Sequence, residues 1–286
     1  MNLQRQVFDG FNGMKLVADV AGDMAPGNPI IVMMHGGGQT RGSWSGTVDL
    51  LANYGCRVIS LDLRGHGESD WAKDGNYAPE AFASDLAAVV ATLPQPPIVM
   101  GASVGGMTAM IAVGELKVKA RALILVDIVP NMKPEGVDRI EGFMNGNPNG
   151  FASFEEAVKV VSEYLSHRPV PPSVEGLRRN LRLDPDGRYR WHWDPEFQHW
   201  NHRNNAREKI GARMSAAAIN CKMPTLVIRG GSSELVDEEG VEHLLKLLPR
   251  GETYLVEKAG HMVAGDRNDI FNAGIAPFVG RVLSAG

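Results

Sequence analysis

The 286-residue sequence predicts an α/β fold: a mostly parallel eight-stranded sheet with helices on both faces, interrupted by a helical insertion. Three observations carry that expectation. Short apolar, β-branched runs alternate with helical patterns as far as about residue 128, the alternation breaks over 129–220, and it resumes from 221 to the end. The implied organisation is a core in two parts, 1–128 and 221–286, around a helical cap at 129–220. One large domain carrying an insertion also fits the length better than two full domains.

Taken in order, strands are expected at about 4–9, 14–21, 29–35, 56–63, 97–102 and 121–128, from apolar and β-branched enrichment between turn residues. Asn12-Gly13 joins the first two as an antiparallel hairpin at the sheet edge. Helices fit Ser43 to Tyr54, Pro79 to Leu93 and Val104 to Glu115, where apolar residues recur at three- and four-residue spacing. Ser43 reads as an N-cap and Gly55 as a C-terminal stop. The insertion contains the turn-rich run 145–150, the breaker Arg168-Pro169-Val170-Pro171-Pro172, and an aromatic and histidine-rich segment from Tyr189 to His202. Strands at 224–231 and 252–257 and helices at 237–248 and 269–283 complete the core, with Pro277 expected to kink the last helix.

Bulk properties exclude several classes. A net charge of −4 with scattered basic residues does not suit a general nucleic-acid binder. Nothing in the first residues resembles a signal peptide and no apolar run is long enough to cross a bilayer, so no membrane partner and a cytoplasmic location are expected. Cys56 and Cys221 are far apart and each leads into an apolar run, which favours buried thiols over a disulfide or metal site. Oligomeric state is not written in the sequence, and a homo-oligomer stays open.

The chemistry centres on Gly101-Ala102-Ser103-Val104-Gly105, between an apolar strand and a small-residue helix. A serine there sits on a very tight turn, and glycines two residues to either side remove the Cβ atoms that would clash. The following helix aims free N–H groups and a positive dipole end at the same place. Ser103 is the candidate nucleophile. It needs a base, and His261 has the best context: it follows the last strand and the turn Ala259-Gly260, at the sheet's carboxyl edge. Two carboxylates compete to orient the imidazole, Glu234 after strand 224–231 and Asp127 at the end of strand 121–128. Glu234 is preferred. Oxyanion donors are expected at the backbone N–H of Val104 and in the loop His35-Gly36-Gly37-Gly38-Gln39, with Gly37 chosen and Gly38 and Gln39 as alternatives.

With these motifs the chain resembles the α/β-hydrolase family, in particular its esterase, lactonase and carbon–carbon hydrolase branch with an inserted cap. The likeness covers nearly the whole chain. It rests on His35-Gly36-Gly37-Gly38, on Asp62-Leu63-Arg64-Gly65-His66-Gly67-Glu68-Ser69, on Gly101 to Gly106 and on Ala259-Gly260-His261-Met262, in that order. It implies Ser103 as nucleophile, His261 as base and Gly37 and Val104 as oxyanion donors. It also implies that His66 braces a turn. Family members place the acid after either strand, and aspartate is commoner after the later one, so Glu234 departs from the pattern and Asp127 stays in play.

The expected activity is cofactor-independent hydrolysis of a small or medium ester, lactone or related carbonyl compound through an acyl-enzyme. A serine at 103 sets the chain apart from the similar dehalogenases and epoxide hydrolases, which use an aspartate there. A carbon–carbon hydrolase acting on a diketone or dienone is the enzymatic alternative, and a ligand-binding receptor retaining the triad is the alternative of another class. No metal is expected, because the spacing of Asp194, His199 and His202 is loose. The aromatic segment is expected to form a wall of the substrate pocket. Arg178, Arg179 and Arg182 read as a solvated helix face rather than an anion receptor.

Overall fold

The computed structural model describes residues 3–23, 25, 27–165, 177–203, 206–266 and 268–285. The run 168–172 lies outside the described residues.

Apolar strands joined by helices can hide both sheet faces only if helices cover each of them. The strands are β1 (Gln4–Asp9), β2 (Lys15–Ala21), β3 (Ile30–Met34), β4 (Arg57–Leu61), β5 (Ile98–Ala102), β6 (Ala122–Val126), β7 (Leu181–Leu183), β8 (Tyr189–Trp191), β9 (Thr225–Gly230) and β10 (Gly251–Val256). Among the described residues eight of them form one sheet in the order β1-β2-β4-β3-β5-β6-β9-β10. β2 pairs antiparallel with both β1 and β4, while the pairs from β4 across to β10 are parallel.

The period of two in the central strands divides the core. In β3, Ile31 and Met33 pack with Trp44, Leu51, Phe271 and Phe278, under helix α1 (Ser45–Asn53) and the C-terminal helix Asn268–Ser284. Ile30, Val32 and Met34 face the other way, toward Phe82 and Leu86 of α2 (Pro79–Ala91) and Met110 of α3 (Val104–Gly114). Both thiols are free and buried, and burial pushes Cys221 up to about 11. None of the described helices is long and apolar enough to cross a membrane.

One expected detail differs. Helix α1 starts at Ser45, after a 3-10 turn at Arg41–Trp44, so Ser43 is not its N-cap. That turn is tied down from outside: the Arg41 N–H donates to Asp62 Oδ1 at 2.7 Å and its guanidinium pairs with Asp19 at 2.9 Å. As expected, Pro277 lies inside the C-terminal helix.

Between β6 and β9 lie α4 (Pro134–Asn145), α5 (Phe154–Tyr164), the antiparallel pair β7-β8 and helices Pro195–Arg203 and Ala206–Ala218. The last of these packs against α3 of the core, and its Ile210 and Met214 also border the cavity at the sheet's carboxyl edge. A Cβ on Gly114 of α3 would lie 2.2 Å from the Ala217 carbonyl oxygen, and Arg213 pairs with Glu115 and Glu80.

Sheet order then decides where a ligand can sit. From β3 the chain goes to β4 on one side and later to β5 on the other, which opens a crevice at the carboxyl ends of β3 and β5.

Candidate active site

Ser103 stands in that crevice, at the junction of β5 and α3, with φ 47° and ψ −114°. A non-glycine residue rarely adopts such a backbone, and it persists here because its surroundings determine it. The Ser103 N–H donates to the Val126 carbonyl at 3.0 Å, and its own carbonyl accepts from Met107 N–H at 2.9 Å. Gly101 and Gly105 allow the turn: a Cβ on Gly101 would lie 2.2 Å from the Gly105 carbonyl oxygen, and one on Gly105 2.5 Å from that of Met34. The Ser103 hydroxyl makes no hydrogen bond among the described residues and lines a cavity of about 580 Å³ that His261 also lines.

His261 donates through Nδ1 to Asp127 Oδ2 at 2.7 Å. Asp127 is fully buried, and its carboxylate also accepts from Ser233 Oγ at 2.6 Å and Gly230 N–H at 2.9 Å. Those donors satisfy and fix a buried carboxylate. The carboxylate hydrogen-bonded to His261 is therefore that of Asp127, the alternative to the preferred Glu234. Ser233 turns the loop inward, accepting from the N–H groups of Leu235 and Val236 at 3.1 Å each. Glu234 is left near Tyr164 of α5, whose phenol is pushed up to about 12 by burial and then by the Glu234 charge. No hydrogen bond or ion pair joins Glu234 to His261 among the described residues.

The N–H groups of the glycine loop 36–39 can be accounted for one by one. Gly36 N–H donates to Gln39 Oε1 at 3.0 Å, Gly38 N–H to His66 Nε2 at 3.0 Å, and Gln39 N–H to the Gly36 carbonyl at 3.2 Å. Gly38 and Gln39 are thereby committed elsewhere. Gly37 N–H has no partner among the described residues, and neither has Val104 N–H at the start of α3. The two residues adjoin, since a Cβ on Gly37 would lie 3.4 Å from Val104 Cγ2.

His66 does more than brace its own turn. Its Nδ1–H donates to the Arg64 carbonyl at 2.9 Å, which leaves Nε2 free to accept from Gly38. Burial, then the neighbouring His35, pushes it down to about 3, so the acceptor form persists. His35 is likewise neutral: Nδ1–H donates to the Gly36 carbonyl at 2.7 Å, Nε2 accepts from Leu63 N–H at 3.0 Å, and burial lowers it to about 4.

The aromatic segment locks onto this turn. Gly67 N–H donates to His192 Nδ1 at 2.6 Å, Asp194 N–H to the Gly65 carbonyl at 2.8 Å, and the Tyr77 hydroxyl to Asp194 Oδ2 at 2.5 Å. Trp191 and Trp193 stack with centroids 4.8 Å apart and line the cavity with Phe197. Asp194 is therefore occupied, and His199 pairs with Glu196 at the surface. The His202 side chain lies outside the described residues, and among the described ones no histidine, cysteine and carboxylate group could hold a metal. The arginines are away from the cavity: Arg178 stacks on Phe154, Arg182 on Trp71, and Arg179 lies beside Gly42.

Residues 29–267 match the family model described as the alpha/beta hydrolase fold. The chain belongs to the α/β-hydrolase family. Esterase Rv0045c of Mycobacterium tuberculosis is 29% identical over 248 residues, 84% of this chain and 78% of that protein. A 3-hydroxybutyrate-oligomer hydrolase of Cupriavidus necator is 28% identical over 251 residues, 82% of this α/β-hydrolase and 84% of the relative. Among solved structures, that of an E-2-(acetamidomethylene)succinate hydrolase superimposes with a TM-score of 0.82 at 20% identity, covering 97% of this chain and 99% of the other, a likeness of fold.

Sequence reasoning missed most of the cavity wall. Val137, Ile140 and Phe143 of α4, with Met144, Val161 and Tyr164, line it as an apolar stripe at helical spacing, a signal that was legible. Gln198 carries no such signal.

Proposed function

We propose that this α/β-hydrolase cleaves small or medium carboxylic esters of mainly apolar chain through Ser103, His261 and Asp127. The observation that carries the reading is the Asp127–His261 hydrogen bond at a cavity shared with Ser103. With Nδ1–H donating to Asp127, the imidazole's Nε2 is the atom left to accept the serine proton. Ser103 Oγ then attacks the ester carbonyl, and the negative oxygen takes the N–H groups of Gly37 and Val104. Collapse expels the alcohol, protonated by His261. A water deprotonated by His261 releases the acid.

Substrate class follows from the wall. Among the described residues no lysine or arginine lines the cavity, and Glu141 does, which disfavours an anionic substrate and with it a dienone acid as carbon–carbon substrate. The relatives named esterase and 3-hydroxybutyrate-oligomer hydrolase support ester chemistry. We assign the cap to the segment from β6 to Arg203, because Ala206–Ala218 packs on the core. A cytoplasmic setting belongs to the same proposal, supported by two buried unpaired thiols.

The test is pre-steady-state release of p-nitrophenol from p-nitrophenyl hexanoate. A burst followed by steady turnover, both abolished in Ser103→Ala, is expected. Binding without turnover would favour the receptor alternative, and full activity in Ser103→Ala would end the serine mechanism.

A further inference from the structure

We propose that Gln198 is a specificity-determining residue that hydrogen-bonds a hydroxyl group carried by the substrate's acyl chain. The assignment rests on the ester-hydrolase reading and adds to it a substrate class, hydroxyacyl esters. Gln198 belongs to helix Pro195–Arg203, is only 3% exposed, and lines the cavity among apolar neighbours. Its Nε2–H donates to Met144 Sδ at 3.0 Å, a thioether and so a weak acceptor. Its Oε1 is buried with no hydrogen-bond partner. A primary amide in that state is far from satisfied, and Gln198 borders the cavity, so a turn of the amide about its last torsion is what would bring Oε1 to a partner there.

Position links the amide to the reaction centre. Phe197, next in the same helix, approaches to 3.4 Å of a Cβ placed on Gly37, and Met144 Cε to 3.1 Å of one placed on Gly38. Gln198 is thus one side chain removed from the oxyanion loop, on the cap side. A substrate held by its carbonyl at Gly37 and Val104 would run its carbon chain along this wall.

The chemistry of the amide selects the partner. An unpartnered carbonyl oxygen calls for a donor, which a ketone, an ether or a carboxylate lacks. An ammonium group would donate, but its desolvation in an apolar cavity costs far more than that of a hydroxyl. A hydroxyl can also accept from Nε2–H in place of the thioether. Sites that hydrogen-bond a substrate hydroxyl discriminate strongly against the analogue lacking it, because the buried polar group is then left unpaired.

The experiment compares kcat/KM for p-nitrophenyl hexanoate with its 3-hydroxy, 6-hydroxy and 3-oxo derivatives in the wild type, Gln198→Leu and Gln198→Met. At least one hydroxy ester is expected to exceed hexanoate by about tenfold in the wild type, with no gain for the 3-oxo ester. Both variants should lose that gain, leaving the hydroxy esters no better than hexanoate, and near-UV circular-dichroism spectra matching the wild type show that they fold. Equal rates on all four esters in the wild type would overturn this assignment alone, as would variants that keep the hydroxyl preference or lose every ester in parallel. A wild type that hydrolyses none of the four overturns the hydrolase reading and this assignment with it.

Discussion

The two walls of the cavity are built on opposite principles. On the sheet side, Asp127 holds three donors, and Gly36, Gly38 and Gln39 have their N–H groups engaged, so that Gly37 and Val104 alone in this set are left to meet a ligand. On the cap side, Trp191 Nε1 and Gln198 Oε1 are buried without partners among the described residues, and apart from Glu141 and Asn180 the rest is methionine, aromatic and aliphatic surface. Catalysis gains from groups fixed in advance, whereas recognition can leave its polar groups to be completed by the substrate. The walls should therefore answer differently to mutation, the sheet side in kcat and the cap side in KM and selectivity.

The largest effect tests the sheet wall. Asp127→Asn keeps the shape but removes the charge that holds the imidazole tautomer, and kcat on p-nitrophenyl hexanoate should fall about 10⁴-fold. Glu234→Gln should stay within about twofold, since that side chain faces Tyr164 and not His261. The reverse pattern in steady-state kinetics would restore Glu234 as the acid. Next in size, Gly105→Ala forces a methyl group into the Met34 carbonyl oxygen, and urea unfolding should show a loss of at least about 3 kcal/mol. Unchanged stability would mean that the nucleophile turn is looser than its contacts indicate.

The same contrast explains what was legible in the sequence. The Ser103 turn, the glycine loop and His261 announce themselves locally, because a strand, a tight turn and a helix start leave marks within a few neighbouring residues. The choice between Asp127 and Glu234 leaves none. Both end adjacent parallel strands, β6 and β9, and the decision lies in Ser233 and Gly230 reaching back across the sheet to Asp127. Ser43 failed as an N-cap for a similar reason, since Asp62 and Asp19 hold the preceding turn from other strands. The cap wall is the extreme case. Its stripe on α4 could be read by period, but Gln198 means something only once Met144 and the oxyanion loop are seen beside it.

Smaller again is the effect of pH on stability. His35 and His66 are held near 4 and 3 in the folded protein, below the 6.5 of an exposed imidazole, so the unfolded chain binds more protons in that interval. Stability should be full above pH 6.5 and decline as pH falls toward the folded values, with a slope of up to about 1.4 kcal/mol per pH unit for each histidine. His66→Gln should flatten that slope in urea titrations between pH 7 and about 4.5. An identical slope in the variant would show that His66 is protonated in the native state.

The smallest expected change tests the cap wall by itself. Phe143 lines the cavity and stacks on Tyr164 with centroids 4.0 Å apart, and among the described residues no hydrogen bond or ring contact joins it to Ser103, His261 or Asp127. Phe143→Ala removes apolar surface from the path of the acyl chain, and a loss of about 1 kcal/mol of binding should raise KM for p-nitrophenyl hexanoate roughly fivefold. Because that surface contacts the chain equally in the ground and transition states, kcat should stay within about twofold. A parallel fall in kcat would mean that the cap also positions the reacting carbonyl, and the division of labour between the two walls would then fail at its weakest point.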